Sequence, residues 1–265
     1  EMGSATRLNP YVALLGWYER YAYANADMVV SALPCAEQYM RDNGLPEGHF
    51  CSIENGIETY DLPEIDEEDI AAEVRTELER EVPFRIGYAG AFDRDNDVMS
   101  LIRAAELLKD RGIGIVLIGK GVRKEQLVAE AAGLPNVSIL PAVPSAQVPW
   151  VLGHFDACYM GLKDKPINQY GVSMAKIFEY LRASRPIVSA VRAGNDIVGA
   201  ANCGISVSPE SPQEIADAVV RLAEMPREER EAMGQRGAAY LQAHHSYDVL
   251  TDKWIRAIEG QIDQR

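Results

Sequence analysis

Short apolar runs alternate with helix-length segments along the chain from Phe84 onward. The apolar runs read FRIGYAG, GIVLIG, VSILP, FDACYM and RPIVSAV, and each is bounded by polar or glycine-containing turns. Apolar runs of this length between turn signals are typical of buried strands, and the intervening segments are long enough for helices. The alternation predicts an α/β fold, in which a Rossmann-like parallel sheet carries helices on both faces.

The helix predicted after the first of these strands has the clearest period. Its apolar residues recur at spacings of three, four and seven, which places one set of side chains on a single face: Val98, Leu101, Ile102, Ala105 and Leu108. We expect this face to be buried against the sheet. Further helices are predicted over residues 124–132, 145–152, 174–181, 212–222, 227–241 and 247–262.

The first part of the chain carries a shorter version of the same pattern. Helical spacing over residues 9–25 precedes an apolar run, ADMVVSA, that predicts a strand. Pro34 is predicted to begin a helix that reaches Arg41, and residues 49–53 predict a second strand. A strongly acidic stretch with a helical middle, residues 61–81, then separates this part from the main block.

Composition narrows the range of partners. The 265 residues are 47% hydrophobic and 25% charged, which is ordinary for a globular protein. The net charge of -14 comes without any Lys/Arg-rich run, so we exclude nucleic acid and anionic lipid as partners. A phosphate group remains an acceptable ligand, because a few local cations and a helix N-terminus act at short range.

Four cysteines lie far apart in the sequence without a CxxC pair, and we interpret them as reduced core residues: Cys35, Cys51, Cys158 and Cys203. No metal site is predicted. The sequence shows neither a signal-peptide pattern nor an apolar stretch of about 20 residues, the length of a membrane span. These features favour a cytoplasmic location.

Ligands of an open parallel sheet lie beyond the carboxyl ends of its strands, so the loops there are the first candidates for a site. Gly90 lies where the chain turns after FRIGYAG, with Arg94 close behind it; a phosphate-binding loop and an ordinary turn both fit this pattern. Lys120 lies between two glycines and faces either an anion or solvent. The third glycine of a dinucleotide fingerprint is missing there, so a nicotinamide site is not expected.

The segment QYGVSMAKIFEYLRASRPIVSA carries more candidate chemistry than any other. Ser173 is predicted to cap a helix that starts near Met174, where free backbone N–H groups form an anion site. Lys176 and Glu179 are three residues apart and therefore lie on neighbouring positions of that helix. The two form either a ligand site or a surface ion pair worth at most about 0.5 kcal/mol.

From about Asp27 onward the sequence resembles the retaining glycosyltransferases of family 4, and most closely the branch that makes bacterial surface polysaccharides. The stretches that carry the resemblance occur in the order found in that family: ADMVVSALPCAEQYM, SIENGI, FRIGYAG, IVLIGKG, NVSILPAVP, an S-x-x-K-x-F-E-Y segment and RPIVSA. The resemblance implies a GT-B protein, in which two Rossmann-like domains face each other and the C-terminal domain binds the donor nucleotide.

On this resemblance we divide the chain into four parts. Residues 1–57 would be the end of an N-terminal acceptor domain, 58–83 an acidic linker, 84–245 the nucleotide-sugar-binding domain and 246–265 a crossing helix. A Rossmann-like domain needs on the order of 100 residues, and only about 55 residues precede the linker, so the resemblance implies that the bulk of the N-terminal domain lies outside this sequence. We expect the chain to correspond to a C-terminal portion, either a truncated one or one subunit of a split enzyme.

The resemblance also implies roles for particular residues. Glu179 would accept hydrogen bonds from the ribose hydroxyls, and Lys176 and Arg94 would neutralise the diphosphate with help from the helix that begins at Ser173. The segment from Leu140 to Val143 would lie against the base. The resemblance identifies no catalytic acid or base in this chain, and no metal or other cofactor is expected.

Three positions depart from the family pattern. Gly171 stands where the family usually has its first motif glutamate, which contacts the sugar. Ala91 and Asn96 stand where the loop after the first strand usually carries Arg and Lys, so that Arg94 becomes an inferred substitute.

The expected function is transfer of a hexosyl or aminohexosyl group from a nucleotide diphosphate sugar, built on UDP or GDP, to a glycan or lipid-linked acceptor with retention. The full-length enzyme would act in the cytoplasm or at the inner membrane surface. Two alternatives stay open: a non-catalytic nucleotide-sugar-binding or scaffold subunit, which Gly171 favours, and a nucleotide-sugar 2-epimerase, which needs grouped histidines. The last helix has a wide apolar face, which either packs on the sheet or drives self-association. The residues of this face are Tyr247, Leu250, Trp254, Ile255 and Ile258.

Overall fold

A computed structural model describes residues 10–59 and 65–262 of the chain. Its strands are β1 (Val29–Ser31), β2 (Phe50–Ser52), β3 (Phe84–Ala89), β4 (Ile113–Ile118), β5 (Val137–Leu140), β6 (Ala157–Gly161), β7 (Ile187–Ala190) and β8 (Gly204–Ser206). Its helices are α1 (Pro10–Asn25), α2 (Glu37–Asp42), α3 (Ala72–Glu79), α4 (Val98–Leu108), α5 (Lys124–Glu130), α6 (Val148–Gly153), α7 (Ala175–Arg182), α8 (Ile197–Ala201), α9 (Pro212–Glu224), α10 (Arg227–His244) and α11 (Tyr247–Ile262).

A six-stranded parallel sheet forms the centre of the fold, in the order β5-β4-β3-β6-β7-β8. The chain winds from β3 through β4 to β5, then crosses back to place β6 on the other side of β3. The winding direction therefore reverses between β3 and β6, which is the position where doubly wound sheets bind ligands. The predicted Rossmann-like fold class is confirmed.

Helices cover both faces of this sheet and divide the core into two clusters. All residues of β3, β4 and β6 are buried, as expected of strands packed on both faces. One cluster lies under α4 and α9, and the other lies under α3, α6, α7 and α8. The five α4 residues predicted to face the sheet are all buried, which confirms the prediction made from their spacing.

The first part of the chain forms a second, two-stranded parallel sheet from β1 and β2. Both predicted strands and both predicted helices are present there, although α2 begins at Glu37 rather than at Pro34. Backbone hydrogen bonds tie this unit to the main domain: Cys35 N donates to Tyr170 O over 3.0 Å, and Ile57 N donates to His245 O over 3.1 Å. By contrast, α1 contains no buried residue.

Part of the predicted linker, residues 60–64, lies outside the described residues. The helical middle predicted for the acidic stretch is confirmed as α3, which buries Val74 and Leu78 in the core. The four-part division of the chain itself stays a prediction.

Leu250 is the buried member of the predicted α11 face, whereas Tyr247, Trp254, Ile255 and Ile258 are exposed. Self-association through this face stays a prediction.

All four cysteines are free thiols. Cys158 and Cys203 are buried as predicted, but Cys35 is exposed in the turn before α2, so its prediction as a core residue is wrong. Two short elements, α8 and β8, were not predicted.

Candidate functional site

A crevice opens at the carboxyl ends of β3 and β6. The loops that follow these strands are held together, because Asn96 forms an isolated antiparallel bridge with Leu162 and Asp97 N donates to Gly161 O over 3.0 Å. The segment that leads into α7 closes the same side. A cavity of about 400 Å³ lies between these loops and Leu33 of the first part of the chain.

Lys176, in the first turn of α7, points into the end of β3 rather than into bulk water. Its Nζ donates to the Tyr88 hydroxyl over 2.8 Å and to Asn96 Oδ1, and it lies 4.6 Å from the centre of the Tyr88 ring. Burial lowers the pKa of Lys176 to about 8, against the opposing effect of the nearby Asp93 carboxylate. The site therefore holds an ammonium group that has neutral partners and no carboxylate bonded to it.

Glu179 lies one turn further along α7 and is half-buried. Its carboxylate pairs with Arg182, and Arg182 also donates to Glu58 O over 3.3 Å. Lys176 and Glu179 do not pair with each other, so the alternative of a surface ion pair between them is wrong. The two side chains instead take separate partners, Lys176 in the loop after β3 and Glu179 on its own helix.

Ser173 does not cap α7, and that prediction is wrong. The residue at the N-cap is Met174, and no side chain accepts a bond from the first turn. The Ser173 hydroxyl instead accepts a hydrogen bond from Asn55 N over 2.7 Å, while Asn55 Nδ2 donates to Ser173 O over 2.7 Å. No side chain therefore caps the N–H groups of the first turn of α7, of which Ile177 N donates to Met174 O over 3.1 Å.

Gly90 adjoins Lys176. A Cβ atom at Gly90 would lie 3.0 Å from the Tyr88 hydroxyl oxygen and 3.5 Å from Lys176 Cε, which is closer to Tyr88 than side chains normally approach. Its N–H donates to Ile118 O over 3.0 Å, so it belongs to the junction of β3 and β4. Gly90 is therefore part of the same constellation as Lys176.

The remaining predicted site residues, Arg94, Lys120 and Val143, make their contacts elsewhere and not with Lys176. Arg94 and Lys120 have exposed side chains in the loops after β3 and β4, with no side-chain hydrogen bond or ion pair to the described residues. Val143 is half-buried and packs against the core cluster under α7. The structure thus brings Lys176 and Gly90 together and leaves Arg94 and Lys120 on the rim.

Sequence reasoning missed two features of this site. Tyr88 contacts Lys176 through both its ring face and its hydroxyl. The sequence feature that could have identified it is a tyrosine just before the end of β3, the strand whose carboxyl end lies at the crevice. Asp97 is fully buried, with Lys163 Nζ 3.1 Å from its carboxylate, and Lys163 also binds Glu210 over 2.7 Å. Burial opposes the charge on Lys163, but the two neighbouring carboxylates raise its pKa overall.

Gly171 lines the cavity in a conformation that favours glycine. Its φ is +98°, and a Cβ there would lie 2.6 Å from Pro34 Cδ. Asn195 fixes the adjoining backbone, since Val172 N donates to its Oδ1 over 2.7 Å and its Nδ2 donates to Val172 O over 3.0 Å. A glutamate therefore does not fit at this position without a shift of Pro34 or of the backbone.

Among the described residues, no cluster of three or more His, Cys, Asp or Glu side chains is arranged to hold a metal ion. None of the helices in these residues is both long enough and apolar enough to cross a membrane.

Comparison with known proteins decides the family. The sequence profile described as Glycosyl transferases group 1 matches residues 83–225, more than half of the chain. The chain belongs to this family. No match was found among curated protein sequences.

Solved glycosyltransferase structures share the fold of this group 1 protein. HepE of Anabaena, solved with UDP and glucose, superposes with a TM-score of 0.70 at 16% identity and covers 92% of this chain. Sucrose-phosphate synthase of Thermosynechococcus elongatus gives 0.70 at 18% identity over 99%, and TarM of S. aureus gives 0.65 at 15% over 90%. These proteins confirm the GT-B architecture. The chain spans 67%, 65% and 46% of their respective lengths.

Proposed function

We propose that this chain holds the donor site of a glycosyltransferase that moves a hexosyl or aminohexosyl group from a nucleotide diphosphate sugar to a glycan or lipid-linked acceptor with retention. The observation that carries the proposal is Lys176, an ammonium enclosed at the switch point of the sheet without a bonded carboxylate. An enclosed cation of this kind suits a ligand that brings its own negative charge.

The proposed chemistry follows from where charge develops. Transfer breaks the bond between the sugar C1 and the phosphate oxygen, and the leaving diphosphate gains negative charge. Lys176 and the N-terminus of α7 lie on the side of the crevice where they would stabilise that charge without a metal ion. The acceptor oxygen forms its bond to C1 on the same face and gives its proton to the phosphate oxygen that departs from C1, so that the products are the glycoside and the protonated nucleoside diphosphate.

Glu179 is proposed to accept hydrogen bonds from the ribose hydroxyls, as an ionised carboxylate can accept several bonds. Its present partner is Arg182, so the ribose would share or replace that contact. The segment from Leu140 to Val143 ends β5 two strands away from the switch point and is proposed to contact the base. Arg94, Lys120 and Ser173 complete the proposed set around the phosphates.

The neighbours support this ligand class. The structures of HepE were solved with UDP and with UDP-glucose, and that of TarM with UDP and α-GlcNAc-glycerol. We extend to this chain the ligand class, a sugar nucleotide on UDP or GDP. Because the chain spans about two thirds or less of those proteins, we expect it to bind nucleotide and to transfer little by itself.

Calorimetric titration with UDP, GDP and their hexose derivatives tests the proposal. We expect binding by at least one nucleotide, at least tenfold weaker binding by Lys176→Met, and weaker binding by Glu179→Gln. Lys109→Met is the matched control, because it removes an exposed lysine at the end of α4. Absence of heat with every nucleotide, from protein that melts cooperatively, would reject the site.

A second candidate, a non-catalytic nucleotide-sugar-binding subunit, is favoured by Gly171. The close approach of Pro34 leaves no room there for the glutamate that contacts the sugar in the family pattern. The two functions differ in product. An enzyme reconstituted with its remaining domain or subunit transfers sugar, and Glu179→Gln weakens both its binding and its transfer, whereas a binding subunit transfers none.

The epimerase alternative finds no support in the positions of the histidines. His154 lies at the opposite edge of the sheet against Trp150, His49 binds Ala26 O, and His244 and His245 pack beside Tyr240. None of the four imidazoles lines the cavity at the crevice.

A further inference from the structure

A second cavity, of about 390 Å³, lies at the amino ends of β3, β6 and β7. The loops before β6 and β7 and the first turn of α10 form its walls. Six-residue strands such as β3 are about 20 Å long, so this cavity is separated from the crevice by the full height of the sheet. We call it the arginine cavity, because Arg185, Arg227 and Arg230 line it.

Two of these guanidinium groups are held by backbone carbonyls. Arg185 Nη2 donates to Gly153 O over 2.5 Å, and Arg230 Nη1 donates to Met225 O over 2.5 Å. Behind the wall, Arg85 is held in the same way by the carbonyls of His154 and Glu77. A carbonyl positions a guanidinium but does not cancel its charge. These guanidinium groups are therefore fixed in position while their positive charge stays uncompensated.

The nearby carboxylates do not balance this charge. Asp156 accepts a backbone bond from Arg85 N over 2.8 Å, and its other oxygen lies 3.9 Å from Arg230, too far for a hydrogen bond. Glu231 pairs with Arg227 over 2.8 Å on the exposed rim. Three guanidinium groups thus line the cavity with two carboxylates, in a protein whose net charge is -14.

One donor in this wall is unused. Arg185 Nε is buried and has no hydrogen-bond partner. Buried donors in folded proteins nearly always have a partner, so an orphaned guanidinium N–H beside a polar cavity indicates an acceptor supplied by a ligand. Guanidinium groups bind phosphate oxygens through two parallel bonds, which ammonium groups cannot do.

We propose that the arginine cavity binds a phosphate group, carried either by inorganic phosphate or by a small phosphomonoester, independently of the crevice. Arg185 would donate through Nε and Nη, and Arg227 would turn from Glu231 to close the outer side. The proposal does not rest on the glycosyl-transfer function, because the two sites lie at opposite edges of the sheet.

The test follows arginine side-chain Nε–H signals by NMR during titration with inorganic phosphate at constant ionic strength. We expect saturable shifts of the Arg185 Nε–H signal and of the backbone amides of Ser184 and Arg227. Arg185→Gln should weaken the apparent affinity at least tenfold, and Arg103→Gln, which removes a positive charge far from the cavity, should leave it unchanged. A parallel titration with glycerol 3-phosphate shows which of the two sources binds more tightly.

Arg227→Gln provides a variant whose folding is safe, since the Arg227 side chain is 83% exposed. If Arg185→Gln fails to fold, Arg227→Gln takes its place in the test, and we expect it to weaken phosphate binding at least threefold. Shifts confined to the amides of residues 90–96 and α7, or equal affinities in wild type and in the folded arginine variants, would overturn the proposal. Phosphate binding at the crevice alone produces the first pattern, so failure here is distinguishable from failure of the donor site.

Discussion

A lysine enclosed beside a tyrosine ring loses its proton more readily than one in water. Lys176 is held in this way between Tyr88 and Asn96 at the end of β3, and burial lowers its pKa to about 8. A bound diphosphate would restore the charged form, because opposite charge close by favours an ammonium. Proton uptake and nucleotide binding are therefore expected to be coupled at this residue.

The coupling predicts the pH dependence of nucleotide affinity. At pH 7 the free protein already carries the Lys176 proton, so this residue does not reduce the affinity there. As pH rises through about 8 the free protein loses that proton, so affinity should fall by up to about tenfold per pH unit. Calorimetry with UDP between pH 7 and pH 9 checks the slope. Lys176→Met should bind weakly with no such slope, and equal slopes in both proteins would contradict the coupling.

Gly171 should be costly to replace. Its φ of +98° disfavours any side chain, and a Cβ would also meet Pro34 at 2.6 Å. Gly133 separates these two effects, because its φ is +86° and a Cβ there would meet nothing within 4 Å. We expect Gly133→Ala to lower the free energy of unfolding by about 1 kcal/mol, from backbone strain alone.

Gly171→Ala should cost at least about 1 kcal/mol more than Gly133→Ala, because Pro34 must move. Urea denaturation of the two variants measures the difference. Equal costs would show that the first part of the chain yields easily at Pro34, and that a glutamate at this position is excluded by backbone strain alone.

The site was predictable only where residue type and position in the pattern agree. Gly90 lies in the turn after β3, and Lys176 lies in the first turn of α7, as their positions in the sequence pattern predict. Local spacing predicts that Ser173 caps the helix, but its hydroxyl accepts a hydrogen bond from Asn55 N, 118 residues away in the sequence. Such a competitor leaves no trace in the segment itself. Arg94 and Lys120 are long side chains in exposed loops, and a loop sequence does not determine where they point.

An ion pair joins the loops that follow β3 and β6. Asp97 is fully buried at the start of α4, and Lys163 follows β6 with its ammonium 3.1 Å from Asp97 and 2.7 Å from Glu210. A second lysine of the same loop, Lys165, pairs with Asp95, whose side chain is 54% exposed. The two pairs therefore differ mainly in how deeply the carboxylate is buried.

Lys163→Met should destabilise the protein by about 2 kcal/mol or more, because it leaves the Asp97 carboxylate buried without a cation. Lys165→Met should cost at most about 1 kcal/mol, as exposed pairs contribute little. Urea denaturation at pH 7 measures both. The double variant Asp97→Asn with Lys163→Met should recover part of the loss, and equal costs for the two lysines would show that water reaches Asp97.

The long elements were predictable because each carries a complete period of apolar residues. The five α4 positions follow directly from that period, whereas the all-buried strands β3, β4 and β6 follow from their continuous apolar runs. The five residues of α8 and the three of β8 are too short to repeat any period. Their positions depend on contacts instead, such as Gly204 packing against Ile187 in the neighbouring strand.

The whole molecule is organised around β3, which contacts helices on both faces of the sheet and joins the two core clusters. Gly87 lies at its middle, and the ring of Phe155 fills the space above it. A Cβ at Gly87 would lie 2.1 Å from a ring carbon of Phe155. The packing of the second cluster thus depends on the absence of a side chain in the central strand, with consequences for the stability of the entire domain.

Gly87→Ala should therefore destabilise the whole domain by about 2–3 kcal/mol, since the Phe155 ring cannot move within a packed core without displacing its neighbours. Gly114→Ala, in the adjacent strand β4, is the matched control: its Cβ would meet Val82 at an ordinary 3.6 Å, and we expect a change within about 0.5 kcal/mol. Combining Gly87→Ala with Phe155→Leu should cost less than the sum of the single changes, because the smaller side chain removes the clash. Urea denaturation followed by circular dichroism and tryptophan fluorescence measures all four variants. Additive costs in the double variant would show that Gly87 and Phe155 do not share this space.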